Sequence, residues 1–263
     1  GAQVRAVRRV DRDSRADEVG DEPLLMARRL SCPVYVSRDR LAAARRAHAD
    51  GAEVIVCDDG LQHYRLQRDI EVVVVDAAQG FGNGHLLPLG PLREPRRRLA
   101  VVDFLLERGG EDPGSAYRVR PRCFRSLDGR IERALDAPGF GPAVHALAAI
   151  ARPERFFMSL RELGLEPVEH ALADHDRAPD EFFQTIGDLP LVMTAKDSVK
   201  YAPDCHPRAW VLELEAGFPA GWVDAVLTRA GLASAAAGSA GDGDAHGAGA
   251  HSPAGPARTG VAP

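Results

Sequence analysis

Lysine is nearly missing: only Lys196 and Lys200 stand among 33 cationic side chains, and the rest are arginine. Neither follows a glycine, so no Gly-x-x-x-x-Gly-Lys-Ser/Thr loop exists within these 263 residues to cradle nucleotide phosphates. Cysteine is also sparse. Cys32, Cys57, Cys123 and Cys205 form no Cys-x-x-Cys pair, which argues against a zinc site or a disulfide framework and reads as cytosolic thiols. No signal-peptide pattern and no 18-residue apolar run occurs, so no membrane-spanning helix is expected in this chain. A formal net charge of -5 supplies no basic field for nucleic acid.

What is present suits a real core, with 45% hydrophobic residues over one large or two modest domains. Gly20-Asp21-Glu22-Pro23 opens a helix over Leu24 to Leu30, with acids in the first turn. A short strand at Val34–Val36, an Ala/Arg-rich helix over Asp39 to Ala49 and a central strand ending at Cys57 follow. Ile70 to Val75 and Val101 to Leu106 read as further strands, and 107–142 as irregular with weak strands near 117–119 and 130–134. Strands alternating with helices predict an α/β fold with a mostly parallel sheet. A second, smaller α/β unit starts near residue 143. It holds apolar runs at Val144–Ile150, Leu189–Met193 and Trp210–Leu214 and helices at Arg155–Leu163 and Pro179–Ile186. After Leu232 the composition turns to Ala, Gly, Ser and Pro, which predicts a disordered tail over 232–263.

Chemistry concentrates where the apolar run Val54-Ile55-Val56-Cys57 breaks into Asp58-Asp59-Gly60-Leu61-Gln62-His63. A buried parallel strand reads as a continuous apolar run, and ligands sit beyond its carboxyl end. Acids there are placed to hold Mg²⁺ on a nucleotide, as a Walker-B acid does. A turn or a cap is the plain alternative for an isolated acid pair, but Gly60-x-Gln62-His63 after it favours a site. The two lysines fall together in Thr194-Ala195-Lys196-Asp197-Ser198-Val199-Lys200, after an apolar run. That places a compact ammonium at a strand-to-helix turn, for a polyanion or simply for solvent. Asp21-Glu22 alone reads as a helix cap. Arg96-Arg97-Arg98 reads as a solvated charge run, with steering of an anionic lipid headgroup as the rival. His145, His170 and His206 read as ordinary polar positions.

Taken together, Val19-Gly-Asp-Glu-Pro23, Asp58-Asp-Gly-Leu-Gln-His-Tyr-Arg-Leu66, and Gly80-Phe-Gly-Asn-Gly84 with Leu87-Pro-x-Gly-Pro-Leu-Arg-Glu-Pro95 resemble the tetraacyldisaccharide 4'-kinase family. The likeness continues through Arg152-Pro-Glu-Arg-Phe-Phe157, Asp174-His175 and Thr194-x-Lys-Asp-x-Val-Lys200, covering roughly residues 12–227. It implies transfer of a phosphoryl group from ATP, with Mg²⁺, to the 4'-hydroxyl of the lipid A disaccharide precursor at the cytoplasmic face of the bacterial inner membrane. By the same likeness Asp21 is the catalytic base, with Glu22 beside it and His175 as its partner. Asp58 and Asp59 engage the metal, and Arg40, Gln62, His63, Arg93, Glu94 and Lys196 contact substrate or phosphate.

The resemblance has gaps. The family's membrane-associated helix and Walker-A loop have no counterpart here, and Asp176 replaces a second histidine after His175. A P-loop-NTPase-like sheet truncated at its N-terminus is therefore expected over 1–142, with the Walker-B strand short of a neighbour, and a C-terminal α/β domain over 143–231. An inactive form is the corresponding expectation for function. A non-enzymatic lipid-disaccharide or nucleotide binding fragment is one alternative; a metal-dependent nucleotide-sugar transferase is another, and it leaves the Gly60-x-Gln62-His63 run unexplained.

Overall fold

The computed structural model describes residues 6–232; the Ala/Gly-rich segment after Leu232 lies outside the described residues. Strand β1 (Arg8–Val10) is followed by the short helix α1 (Ala16–Val19) and by α2 (Asp21–Arg29). Strand β2 (Val34–Val36) pairs antiparallel with β1, and α3 (Arg40–Ala49) follows it. Leu24 and Ala27, one helical turn apart on α2, bury against Val10, Val19 and Val199.

The main sheet has eight strands. Its first members are β3 (Val72–Asp76), β4 (Phe104–Arg108), β5 (Ala116–Ser126) and β6 (Glu132–Arg133). Then come β7 (Ala143–Ala148), helix α4 (Pro153–Glu162), β8 (Glu166–Ala171) and helix α5 (Asp180–Thr185). Strand β9 (Leu191–Thr194), the one-turn helix α6 (Ala195–Ser198), β10 (Ala209–Gly217) and helix α7 (Trp222–Arg229) complete the described residues. Strand order is β3-β4-β5-β10-β9-β7-β8, with β6 paired to β5. Pairing is parallel except along β5, which runs antiparallel to β10 and β6.

Alternation fills both faces of the C-terminal half. Ala146, Ala148, Val192, Trp210 and Leu212 face one core with Phe156, Phe157 and Leu160 of α4. Leu147, Leu191, Met193 and Val211 face the other, with Phe183, Ile186 and Tyr201. Pro153 opens α4 at a position where no N–H is needed. Truncating the fully buried Leu160 to Ala would cost about 2–5 kcal/mol.

Two expectations change. The run Val54–Cys57 forms no strand: Val54, Ile55 and Val56 are 52%, 43% and 91% exposed. A strand exists only through a ladder, and among the described residues none pairs with this run; β3 pairs with β4 alone and leaves its other edge open. Conversely, β5 is one eleven-residue strand where the sequence suggests only a weak strand near 117–119, while the weak strand expected near 130–134 is the short β6. Strand β5 is held by β10 along nearly its whole length, with a register shift between Glu213 and Leu214 that accommodates Pro121. Because β5 also pairs with β4, both halves of the chain share one sheet.

Asp76, at the end of β3, binds Arg155 of α4 at 2.9 Å. The hydrogen bond from Arg155 lowers the Asp76 pKa to about 2 from the ordinary 3.8, against the opposing effect of burial. A depressed carboxylate adds stability above its unfolded pKa and loses it as pH falls toward the folded one. Urea unfolding should therefore show stability falling between about pH 4 and pH 2 (the span of the two values), with a visibly smaller fall in Asp76→Asn. An unchanged slope in that variant would refute the linkage.

Candidate active site

The predicted residues gather into two groups. In the first, Gly20 separates α1 from α2 with φ +95°, a conformation glycine adopts freely, and it turns the chain so that Asp21 begins α2. Asp21 is 9% exposed, and the N-terminal end of a helix favours its negative charge. His175 follows Asp174 beyond the carboxyl ends of β7 and β8, where its N–H donates to Ala149 O at 3.2 Å. Its backbone is left-handed, φ +69°, a strained geometry of the kind held at functional sites. The ring Nδ1 meets Asp21 Oδ2 at 3.1 Å and Nε2 meets Lys196 Nζ at 3.4 Å. These partners suit the tautomer with a proton on Nδ1, donating to the carboxylate and accepting from lysine.

Lys196 also reaches Glu22 Oε1 and Asp174 Oδ1, each at 3.3 Å. Burial works against its charge, but the hydrogen bonds to Asp174 and Glu22 outweigh it and hold the lysine pKa above its usual value. Below this layer lie Asp197 and Lys200, which the motif 194–200 contains but which are not among the expected site residues. Asp197 is fully buried; its Oδ2 accepts from Ala149 N at 3.0 Å and Thr194 Oγ1 at 2.6 Å. Lys200, its side chain 4% exposed, donates to Asp197 Oδ1 at 2.8 Å and to Asp176 O at 2.9 Å, and lies 3.5 Å from Asp21 Oδ2. Asp176, the departure from the family pattern, thus enters the site through its backbone carbonyl. The scarcity of lysine was the signal that pointed at this turn, and an acid three residues before Lys200 completed it. A cavity of about 1020 Å³ opens beside Asp21, Glu22, His175 and Lys200, with Arg28 and Arg38 on its wall.

The second group surrounds the 58–63 turn. Arg40, the first residue of α3, donates to the Asp58 carbonyl. Asp59, with φ +46°, is gripped by both terminal nitrogens of Arg93, at 2.6 and 3.0 Å. The Arg93 guanidinium holds the Asp59 carboxyl below its ordinary range, offset in part by burial. Gln62 Nε2 donates to Glu94 Oε1 at 2.8 Å, while the buried Gln62 Oε1 has no partner among the described residues. The His63 ring makes no hydrogen bond to the described residues; its carbonyl accepts from Arg68. The 80–95 loop that delivers Arg93 and Glu94 is tight. Asn83 Nδ2 donates to Leu89 O, and a Cβ at Gly90 would come within 2.1 Å of Asn83 Oδ1. No hydrogen bond or ion pair among the described residues joins the two groups.

No cluster of three metal-ligating side chains occurs among the described residues. Magnesium on a nucleotide needs only one or two carboxylates besides phosphates and water. Asp58 fits that demand, being exposed and without a side-chain partner among the described residues; Asp59 offers its carboxylate already paired to Arg93.

A mostly parallel α/β sheet with side chains gathered beyond the carboxyl ends of its strands is the fold class of the P-loop kinases. The fold superimposes on the crystal structure of LpxK from Aquifex aeolicus, an "apo" form in complex with ATP, with a TM-score of 0.69 and 22% identity over 87% of this chain and 75% of that one. The family described as tetraacyldisaccharide-1-P 4'-kinase matches residues 1–231, and the chain belongs to it. Its relatives include the tetraacyldisaccharide 4'-kinases of Pseudomonas entomophila, 42% identical over 84% of this chain and 68% of that protein, and of Azotobacter vinelandii, 45% identical over 84% and 68%. That of Alkalilimnicola ehrlichii is 46% identical over 80% of this chain and 63% of the relative.

The Asp59–Arg93 pair is more than half exposed on both sides. Asp59→Ala should consequently change unfolding free energy by less than about 1 kcal/mol in urea titration. A larger loss would mean that the 58–63 turn depends on this clamp for its fold.

Proposed function

We propose that this chain carries the acceptor-activating and metal-binding parts of a kinase that phosphorylates the 4'-hydroxyl of tetraacyldisaccharide 1-phosphate, with ATP as donor and Mg²⁺ as cofactor. The observation that carries the reading is the Asp21–His175 pair at the cavity. The contacts from His175 and Lys200 both fall on Asp21 Oδ2, and Oδ1 takes no hydrogen bond among the described residues. That oxygen is available to accept the proton of a sugar hydroxyl as it attacks phosphorus. His175 orients the carboxylate, and Lys196, linked to Glu22 and Asp174, puts positive charge next to it.

Asp58, with Asp59 beside it, would hold Mg²⁺, which when bound neutralises phosphate charge. Arg40 and Arg93, anchored on Asp58 O and on Asp59, bring guanidinium charge to the same turn. Gln62 and Glu94 brace the turn against the 80–95 loop, and His63 stands at its end as a further phosphate or substrate contact. Phosphoryl transfer asks little covalent work of the protein, so placement and charge carry the catalysis. A tetraacylated substrate places this work at a membrane surface, on our reading the cytoplasmic face of the inner membrane.

Without a Gly-Lys loop inside the 263 residues, these residues by themselves should bind MgATP weakly and turn over little or no substrate. Titration calorimetry should give a dissociation constant above the micromolar range, and micromolar affinity would reveal another phosphate cradle. The kinase reading itself is tested on the complete gene product, by following bisphosphorylated lipid formed from ATP and tetraacyldisaccharide 1-phosphate. There Asp21→Ala should lower kcat by roughly 10²-fold or more, the order for loss of a general base. Undiminished turnover in that variant would remove Asp21 from the role, and failure of the parent to form product would overturn the kinase reading.

A further inference from the structure

Lys200 is the most enclosed cation of the site, and neither the metal carboxylates nor the acceptor hydroxyl has a use for it. Its side chain is 4% exposed, beside the fully buried Asp197 and the 10% exposed side chain of Asp21. Removing an ammonium from water is costly unless each of its protons finds an acceptor. Lys200 donates hydrogen bonds to Asp197 Oδ1 and Asp176 O and forms an ion pair with Asp21 Oδ2. The first two fix the ammonium from the sheet side, since Asp197 is itself tied to Ala149 N and Thr194 Oγ1. The third contact, the longest at 3.5 Å, is then imposed on Asp21.

We propose that Lys200 is a positioning residue for the base, acting with Asp197 to fix the charge beneath the Asp21–His175 pair. Its ammonium occupies Oδ2, the oxygen His175 also contacts, and so turns Oδ1 toward the acceptor. It also balances one of two buried carboxylates, so its removal would leave the ring facing one more uncompensated negative charge. The other charged groups facing the ring are Asp174 and Lys196, with Glu22 behind Lys196. Lys196 and Asp174 are 19% and 39% exposed, so Lys200 is the cation in this set that solvent screens least. The proposal rests on the assignment of Asp21 as base.

The test needs neither ATP nor lipid. Ring-nitrogen NMR of His175, assigned by its absence from His175→Gln, follows proton uptake with pH in the 263-residue chain. Lys200→Met should raise the proton affinity of the ring by roughly threefold or more, the scale of a unit charge several ångströms away in a partly screened site. Asp197→Asn should lower it, and the double variant, which removes one charge of each sign, should return it near the parent value. The double variant also guards against a fold lost through an unpaired buried Asp197. A His175 titration that is the same in the parent, Asp197→Asn and the double variant, and in Lys200→Met if it folds, would overturn the proposal, because a lysine serving only to fill space would leave it unmoved. Opposite shifts in the two single variants support it, as does a lowered Asp197→Asn affinity restored in the double variant. A complete gene product that forms no phosphorylated lipid would overturn the kinase reading while these shifts still stood.

Discussion

The buried carboxylate of Asp197 is the constraint on which the site depends. A fully enclosed anion must be met on every lone pair, and here the partners come from three places: the backbone at the end of β7, the hydroxyl that caps α6, and the ammonium of Lys200. Satisfying it fixes the carboxyl ends of β7 and β9 relative to the turn that carries both lysines. It also sets where the Asp174–His175 turn can lie, since His175 hydrogen-bonds the same residue, Ala149, through its carbonyl.

Helix α2 is held against this platform at both ends. Asp21 meets His175 and Lys200 at one end, and Arg29 meets the buried Glu213 of β10 at the other. Between them Leu24 packs near Val199. A side chain near the start of the chain is thereby set against residues more than a hundred positions later by one apolar contact and two sets of charges. The second group of site residues is organised differently, by an exposed Arg–Asp clamp, an amide-to-carboxylate hydrogen bond, and guanidinium contacts from Arg40 and Arg68 to backbone carbonyls of the turn. The Asp21–His175 group rests on buried charges, whereas the Asp59–Arg93 clamp on the 58–63 turn lies where water and salt can weaken it.

Much of this was legible in the residues. Helices α2, α3, α4 and α5 and strands β3, β7, β9 and β10 follow from periodicity and from Gly and Pro punctuation, and long motifs marked Asp21, Asp59 and His175. The apolar run 54–57 misled because local pattern reports the wish to be buried, not the presence of a partner strand. Strand β5 was obscured for the reverse reason: Arg118, Arg120, Pro121 and Arg122 look unlike a core strand, and only pairing with β10 makes them one. Asp197 and Lys200 stood inside a recognised motif, yet their depth depends on chain folding over them from β7 and α2. No local signal carries that.

The antiparallel ribbon of β5 and β10 also bears on how the polypeptide is made. Strand β5 must wait for a partner that lies beyond β6, β7, β8 and β9 in the sequence. Pairings that distant close large loops and form slowly. A nascent chain leaving the ribosome would thus expose the edge of β5, and with it the apolar face of Phe124, until the residues of β10 had emerged. Completion of the sheet, and with it the anchoring of α2 through Arg29 and Glu213, is a late event in biosynthesis.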